Sequence, residues 1–294
     1  MTNATNNRRV VVVGATGYLG RHLVAEFARR GHHVSAVVRK GKSVEGAHKL
    51  IEADVTRPST LEGAFDDAEL VFSALGITRQ TDKVTYEDIE YTANHNALRE
   101  AMRAGAKRFG VISAVNPNAL EGLAIMESRE RFIRELRQSA VASTVVRATG
   151  FFSDLQDVFN MAASGRAYLI GDGTTRANPV HGEDLAAAAV DAMVDGLDAV
   201  DVGGPDVFTW DEVAQLAFDA LGVPAKVTHV PGWVLELGLP LVRPFNRRVY
   251  DVGSFIARGA THDMVAPCHG RHHLGPFFET LARAHSARPR LAAQ

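Results

Sequence analysis

The sequence predicts an α/β fold: a doubly wound parallel sheet with helices on both faces, followed by a smaller C-terminal lobe. Two observations predict it. Short β-branched runs alternate with helical stretches through the first half of the chain, and that alternation puts helices on both faces of a parallel sheet. The first run also passes directly into a glycine-rich turn and then a helix, through Val10-Val11-Val12-Val13-Gly14-Ala15-Thr16-Gly17-Tyr18-Leu19-Gly20. The right-handed crossover rule then favours the doubly wound strand order.

Arg9–Val13 is a continuous apolar run, as expected of a strand covered on both faces. Tyr18 to Arg30 repeats Leu19, Leu23 and Phe27 four apart, and Gly31 closes it as a helix C-cap would. His33–Val38 reads as the second strand, Lys49–Ala53 as a shorter third and Glu69–Ala74 as the fourth. Asn94 to Ala104 reads as a helix ending at Gly105, Phe109–Ser113 as the fifth strand, Met126 to Gln138 as a helix and Ser143–Arg147 as the sixth strand. After Thr149 the pattern loosens. Gly171-Asp172-Gly173 and Gly203-Gly204-Pro205 mark turns. Asp184 to Met193 and Trp210 to Leu221 are helical, the second stopped at Gly222, and later helical pieces are separated by prolines.

The chain has 294 residues, 46% of them hydrophobic and 22% charged. That suits one large domain, or a domain with a smaller companion, and excludes disordered and fibrous classes. Lys and Arg total 32 against 34 Asp and Glu, so the formal net charge is −2 and offers no general field for nucleic acid or an anionic membrane. Cys268 is the single cysteine, which excludes an intramolecular disulfide and a cysteine-rich zinc site. The start is polar, with no apolar signal core. The most apolar later stretch, Val230 to Phe245, is broken by Glu236, Arg243 and three prolines. It cannot span a membrane, though it suits a buried or surface-seated segment. The expectation is a soluble cytoplasmic protein with a small-molecule substrate, no nucleic-acid, membrane or metal partner, and a monomeric or homodimeric state.

In the glycine turn, Gly14 permits the tight bend, Gly17 lets backbone approach a pyrophosphate, and Gly20 allows close helix–strand contact. The free N–H groups and dipole of the helix start, around Thr16 to Leu19, attract phosphates. A dinucleotide is therefore the expected cofactor, unless the turn is purely structural. The second strand bears on which one. An NAD site usually ends it with Asp or Glu for the ribose 2′-hydroxyl; here it ends Val38-Arg39-Lys40. A guanidinium suits a 2′-phosphate through forked, charge-assisted hydrogen bonds, which favours NADP(H) over NAD(H). The alternative is a solvated basic strand end. Asp54, after the third strand, either contacts the adenine or caps the following turn.

These residues resemble the short-chain dehydrogenase/reductases, in their extended and atypical branches. The spacing of Gly14, Gly17 and Gly20, Asp54-Val55, Ser73-Ala74-Leu75-Gly76, Asn94 with Asn96, and Phe109–Ser113 all fall where that family's motifs fall. Arg147-Ala148-Thr149-Gly150-Phe151-Phe152-Ser153-Asp154 and Asn178-Pro179-Val180-His181-Gly182-Glu183-Asp184 resemble the NmrA-like and isoflavone-reductase-like members. The polar start reads as a disordered tail of 1–7 and the loosened C-terminal pattern as a smaller substrate lobe over 206–294; the resemblance implies a Rossmann domain over residues 8–205, with 151–180 contributing to the substrate pocket. It also implies that Gly150, Phe151 and Phe152 line the nicotinamide and substrate pocket.

The resemblance breaks at the catalytic residues. The family uses a serine after the fifth strand, then a tyrosine and, four residues on, a lysine that lowers the tyrosine pKa. Ser113 fits the serine, but the tyrosine position falls on Ile125 and the lysine position on Arg129. Isoleucine transfers no proton, and arginine stays protonated. Arg129 shares an otherwise apolar helical stripe with Ile125, Phe132 and Leu136, so it needs a partner. That partner is either cofactor ribose or an internal group.

Alternative proton donors are Tyr86 and Tyr91, ahead of the next helix, His95 at its start, and His181 near the lobe junction. Each is also readable as a packing or surface residue. Arg79 and Arg176 suit an acidic substrate or plain solvation. Cys268-His269 with His272-His273 lacks metal-site context, and Ser113, His181 and Asp184 lack a nucleophile elbow. The expected function is an NADPH-dependent reductase acting on a carbonyl, imine or conjugated double bond of a partly apolar molecule, with Phe151, Phe152 and the lobe as apolar walls. An NADP(H) sensor without chemistry and a non-redox epimerase stand beside it.

Overall fold

The structure is a computed structural model that describes residues 7–77 and 84–287. Arg79 and nearly all of the predicted tail lie outside the described residues. In chain order the elements are β1 (Arg9–Val13), α1 (Tyr18–Arg29), β2 (His33–Val38), β3 (Lys49–Glu52), β4 (Leu70–Ser73), α2 (Asn94–Arg103), β5 (Arg108–Ala114), α3 (Ala124–Gln138), β6 (Ala142–Ala148), α4 (Gln156–Ala163) and β7 (Ala167–Ile170). There follow β8 (Arg176–Ala177), α5 (Gly182–Asp195), β9 (Ala199–Val202), β10 (Phe208–Thr209), α6 (Trp210–Leu221), β11 (Val227–Val230), α7 (Gly232–Val242), α8 (Arg247–Thr261) and α9 (Leu274–Ser286).

Seven strands form one sheet in the order β3-β2-β1-β4-β5-β6-β9, and every neighbouring pair is parallel. The strand order reverses at β1, so the crevice between the carboxyl ends of β1 and β4 is the topological switch point. The seventh strand, β9, extends the sheet beyond the six expected from sequence. It is short and mixed, with alternating exposure.

Alternation along each strand divides the core between the two faces. Val10, Val12, Phe72 and Val146 pack with Leu19, Leu23 and Phe27 of α1 and with α5. Val11, Val13, Val71, Phe109, Val111 and Val145 pack with α2 and with Phe132, Ile133 and Leu136 of α3. A third core joins Phe152, Phe159 and Leu169 to Phe218 of α6 and Phe278 of α9. This lobe core thus draws on chain from both sides of α5.

Ahead of α2, a π-helical segment, Glu87–Ala93, runs straight into the helix. Asn94 stabilises the wider turn: its Nδ2 donates to the carbonyls of Ile89 (3.0 Å) and Glu90 (3.1 Å). Its Oδ1 accepts from Ser73 Oγ at 2.5 Å, tying the segment to the end of β4.

Candidate cofactor and active site

The glycine turn crosses the carboxyl end of β1 at the switch point. Gly14 has φ +74°, and a Cβ there would stand 3.0 Å from the Ala74 carbonyl, so only glycine lets β1 and the Ala74-Leu75-Gly76 segment pass this closely. Gly17 donates its N–H to Gly14 O at 3.0 Å. A Cβ on Gly20 would fall 2.1 Å from Gly14 O, so that glycine seats α1 directly on the turn. No side chain caps α1, which leaves its first N–H groups directed at the crevice. The backbone here has the form of a phosphate cradle, and the residues present fit a dinucleotide.

Tyr18 turns its ring away from the turn. Its hydroxyl accepts the Gly182 N–H (3.0 Å) at the start of α5, and its ring packs edge-on against Phe151, with centroids 5.8 Å apart. That contact brings the Gly150–Phe151 segment beside the glycine turn. Phe152 takes another course: it is buried in the lobe core and packs on Phe277, so it is not exposed as a pocket wall.

Arg39 and Lys40 stand exposed at the carboxyl end of β2. Asp54 caps the turn after β3: its Oδ1 accepts from the Thr56 N–H (3.1 Å) and hydroxyl (2.7 Å). The Thr56 hydroxyl, aided by the Thr56 amide, Arg57 and Arg39, holds the Asp54 carboxyl below the usual carboxylate range. Val55 is braced through its carbonyl, which accepts from Asn96 Nδ2 at 3.0 Å. Asn94 and Asn96, which the family resemblance singled out, are tied into the fold here, Asn94 between the π-helical segment and the end of β4 and Asn96 between α2 and the loop after β3.

Ile125 is buried, as its apolar stripe required. Arg129 has an internal partner: Nε and Nη2 both lie 2.8 Å from Glu90 Oε2, and the two side chains are 13% and 1% exposed. The other Glu90 oxygen accepts the Ile77 N–H at 2.9 Å. A Cβ on Gly76 would lie 3.3 Å from Arg129 Nη2, so the ion pair sits against the segment that follows β4. The internal partner that the apolar stripe called for is thus present.

The polar centre at the ends of β5 and β6 has two members, Glu130 and Arg147, to which the sequence reading gave no site role. Ser113 and Arg147 are register partners. Ser113 Oγ donates to Glu130 Oε1 of α3 at 3.1 Å, and Arg147 Nη2 lies 3.7 Å from Glu130 Oε2. Among the described residues Arg147 Nε is buried without a hydrogen-bond partner, a costly state unless a ligand meets it. The signal was in the sequence: Val145 and Arg147 share one face of a two-face-buried strand, and a charge at such a position needs a reason.

Beside this centre lies a cavity of about 990 Å³, lined by Tyr86, Met126, Glu130, Arg131, Arg248 and Asp251 among others. Its wall is more polar than the apolar one expected from Phe151 and Phe152. Burial, together with the nearby Asp251 and Glu90 carboxylates, pushes the Tyr86 phenol up to about 12. Tyr91 and His95 are engaged elsewhere: His95 Nδ1 lies 2.6 Å from Glu135 Oε1, and the Arg131 guanidinium sits 3.6 Å over the Tyr91 ring. Arg176 pairs with Asp263 at 2.7 Å.

His181 caps α5, its Nδ1 accepting the Glu183 N–H at 3.3 Å, and stacks on His272 with ring centroids 4.3 Å apart. Burial, reinforced by His272, lowers its pKa. Asp184 holds His272, with Oδ1 2.9 Å from Nδ1. Ser113, His181 and Asp184 thus each serve a different partner and form no relay. His272 joins His181 and Glu183 as the one potential three-ligand metal group among the described residues. Cys268 and His269 take no part in it.

An open parallel sheet with a glycine turn at its switch point defines a dinucleotide-binding protein. Residues 14–196 match the NAD(P)H-binding family, and the chain belongs to that family. Among curated relatives, the chloroplastic divinyl chlorophyllide a 8-vinyl-reductase of Zea mays is 29% identical, covering 97% of this chain and 82% of its own length. Photosystem II assembly factor Ycf39 of Synechocystis is 27% identical over 81% of this chain and 74% of its own. Among solved structures, the NADPH-dependent quinone oxidoreductase of Escherichia coli in complex with NADPH superposes with a TM-score of 0.70 at 17% identity, covering 92% of this chain and 99% of that one. Among the described residues no helix is long and apolar enough to cross a membrane.

Proposed function

We propose that this chain is an NADPH-dependent reductase of the atypical short-chain type, acting on a conjugated double bond, carbonyl or imine of a small, partly apolar molecule. The observation that carries this reading is the Ser113–Glu130–Arg147 centre. It places a hydroxyl, a carboxylate and an unsatisfied guanidinium N–H at the carboxyl ends of β5 and β6. That edge of the sheet also carries the glycine turn. The relative named as a vinyl-reductase favours the conjugated double bond within the substrate class.

In this reading the backbone of Gly14, Thr16, Gly17, Tyr18, Leu19 and Gly20 holds the pyrophosphate, and Arg39 with Lys40 holds the 2′-phosphate. Asp54 and Val55 border the adenine, Ala74 to Gly76 underlie the dinucleotide, and Gly150 with Phe151 closes the nicotinamide side. When bound, the cofactor supplies the hydride. On substrate binding the Ser113 O–H turns from Glu130 to the substrate oxygen, or to the end of the conjugated system where negative charge develops, and Arg147 stabilises that charge. The proton comes from water entering the cavity that Glu130 lines, with the Glu130 carboxylate orienting that water as an acceptor. Arg129, held by Glu90, positions the segment after β4. Tyr86, with its phenol pushed up to about 12, is poorly suited to release a proton at neutral pH and serves to shape the cavity.

The test is sustained NADPH oxidation with a panel of enones, quinones, vinyl-substituted rings and carbonyls. Turnover with at least one class supports the reading; tight NADPH binding with none overturns it. That second outcome would favour an NADP(H) sensor, a reading supported by Ile125 standing at the tyrosine position and by a relative named as an assembly factor.

A further inference from the structure

The α7–α8 pair presents an apolar face to solvent. Trp233, Leu237 and Leu241 recur four apart, so they share one side of α7. They are 62%, 66% and 72% exposed, and Phe245, just past the helix, is 90% exposed. No residue of α7 is buried, and Val249 and Ile256 of α8 are also exposed. A contiguous apolar surface of this kind on a folded chain marks an interaction site.

The charges beside it point to its occupant. Between Pro231 and Tyr250 the chain carries three arginines, Arg243, Arg247 and Arg248, and one acidic residue, Glu236. The arginines all follow the last turn of α7, next to Phe245. Arg243 lies over the Tyr250 ring at 5.2 Å, and Arg247, 71% exposed, is 3.8 Å from Asp251. A tryptophan-bearing apolar stripe with guanidiniums gathered at one end matches a helix seated in a bilayer interface, its apolar side among acyl chains and its cations at headgroup phosphates. A second copy of this chain would cover the apolar stripe but supplies no phosphates for the arginines at its end.

We propose that α7 and α8 seat the protein on an anionic lipid surface. The formal charge of −2 for the whole chain suggested no such partner, but attraction at a membrane depends on charge within a Debye length of the lipid. The inference is independent of the reductase reading. It adds one consequence: Arg247, Arg248 and Asp251 of α8 line the cavity, so the seated protein would hold that cavity beside the lipid.

The test is flotation of the full chain with phosphatidylcholine vesicles and with vesicles in which part of the lipid is phosphatidylglycerol. The protein should float with the anionic vesicles at low salt and much less with the neutral ones. The double variant Leu237→Ser/Leu241→Ser should lower the bound fraction by about tenfold or more, from the lost apolar insertion. Arg243→Ser should reduce the preference for anionic lipid. Both substitutions lie at exposed positions outside the glycine turn, so unchanged NADPH affinity verifies that the variants fold. Failure to float with anionic vesicles, equal flotation with both compositions, or flotation unaffected by the double leucine variant would each overturn the proposal. So would a wild-type dimer that the leucine variant splits into monomers, which would assign the face to a second copy.

Discussion

Replacing Arg129 by Met separates the two roles open to this residue. Both guanidinium contacts, at 2.8 Å, go to one oxygen of Glu90, which is 1% exposed. Arg129→Met strands that carboxylate, leaving it the Ile77 N–H at 2.9 Å. Breaking a buried pair from one side costs about 3–5 kcal/mol, a large share of the roughly 5–15 kcal/mol that stabilises a typical domain. In Glu90→Gln/Arg129→Met, the neutral amide still accepts from Ile77 and leaves no unpaired charge. It should recover about 2 kcal/mol or more of the loss, a coupling of the size expected for directly interacting residues. Urea unfolding of the wild type, both single variants and the double, followed by tryptophan fluorescence, gives the cycle. A loss below about 1 kcal/mol for Arg129→Met, the range of an exposed ion pair, would refute the reasoning. A double variant that folds stably yet binds NADPH more than tenfold weaker would make Arg129 a cofactor ligand as well as an internal partner.

Four further outcomes are expected. Arg39→Asp should shift the NADPH-to-NADH affinity ratio toward NADH by about 100-fold, as one forked guanidinium–phosphate contact of about 1.5–3 kcal/mol is replaced by repulsion; competitive titration measures it, and no shift would remove Arg39 from the 2′-phosphate site. Ser113→Ala and Glu130→Gln should each lower kcat by about 10- to 100-fold while leaving the NADPH dissociation constant within a few-fold, in keeping with one lost polar contact to developing charge. Stability should fall as pH drops through about 6.5, because burial lowers the folded pKa of His22, His32 and His181 and the unfolded chain then binds more protons; His181→Gln should flatten that slope in denaturant titrations across the pH range. Gly20→Ala should abolish soluble, NADPH-binding protein, since its Cβ would fall 2.1 Å from Gly14 O; a folded variant with wild-type affinity would contradict the packing described.

The β1–α1–β2 unit was legible in the sequence because every local signal agreed: a β-branched run, three spaced glycines, a four-residue apolar repeat and a closing Gly31, which adopts φ +83°. Strand ends shifted by a residue or two, as at Arg108, a polar residue that still completes the ladder opposite Ala142. The π-helical turn was not legible, because its stabiliser is Asn94 reaching back to carbonyls and across to Ser73. The Glu130–Ser113–Arg147 centre depends on α3 being laid across β5 and β6, a register that spacing along one chain does not give. His181 and His272 stack from segments some ninety residues apart, a pairing that the sequence neighbours of His272 do not disclose. For α7, a run of apolar residues does not by itself distinguish a covered helix from an exposed one, and here it is exposed.

Isothermal titration of the full, ligand-stripped chain with NADPH and then NADH tests the central assignment most directly. One equivalent of NADPH should bind, with NADH weaker, and Arg39→Asp should reverse the order. Absence of heat for both coenzymes, with no displacement of either in a competition assay, would contradict the role given to the turn at Gly14.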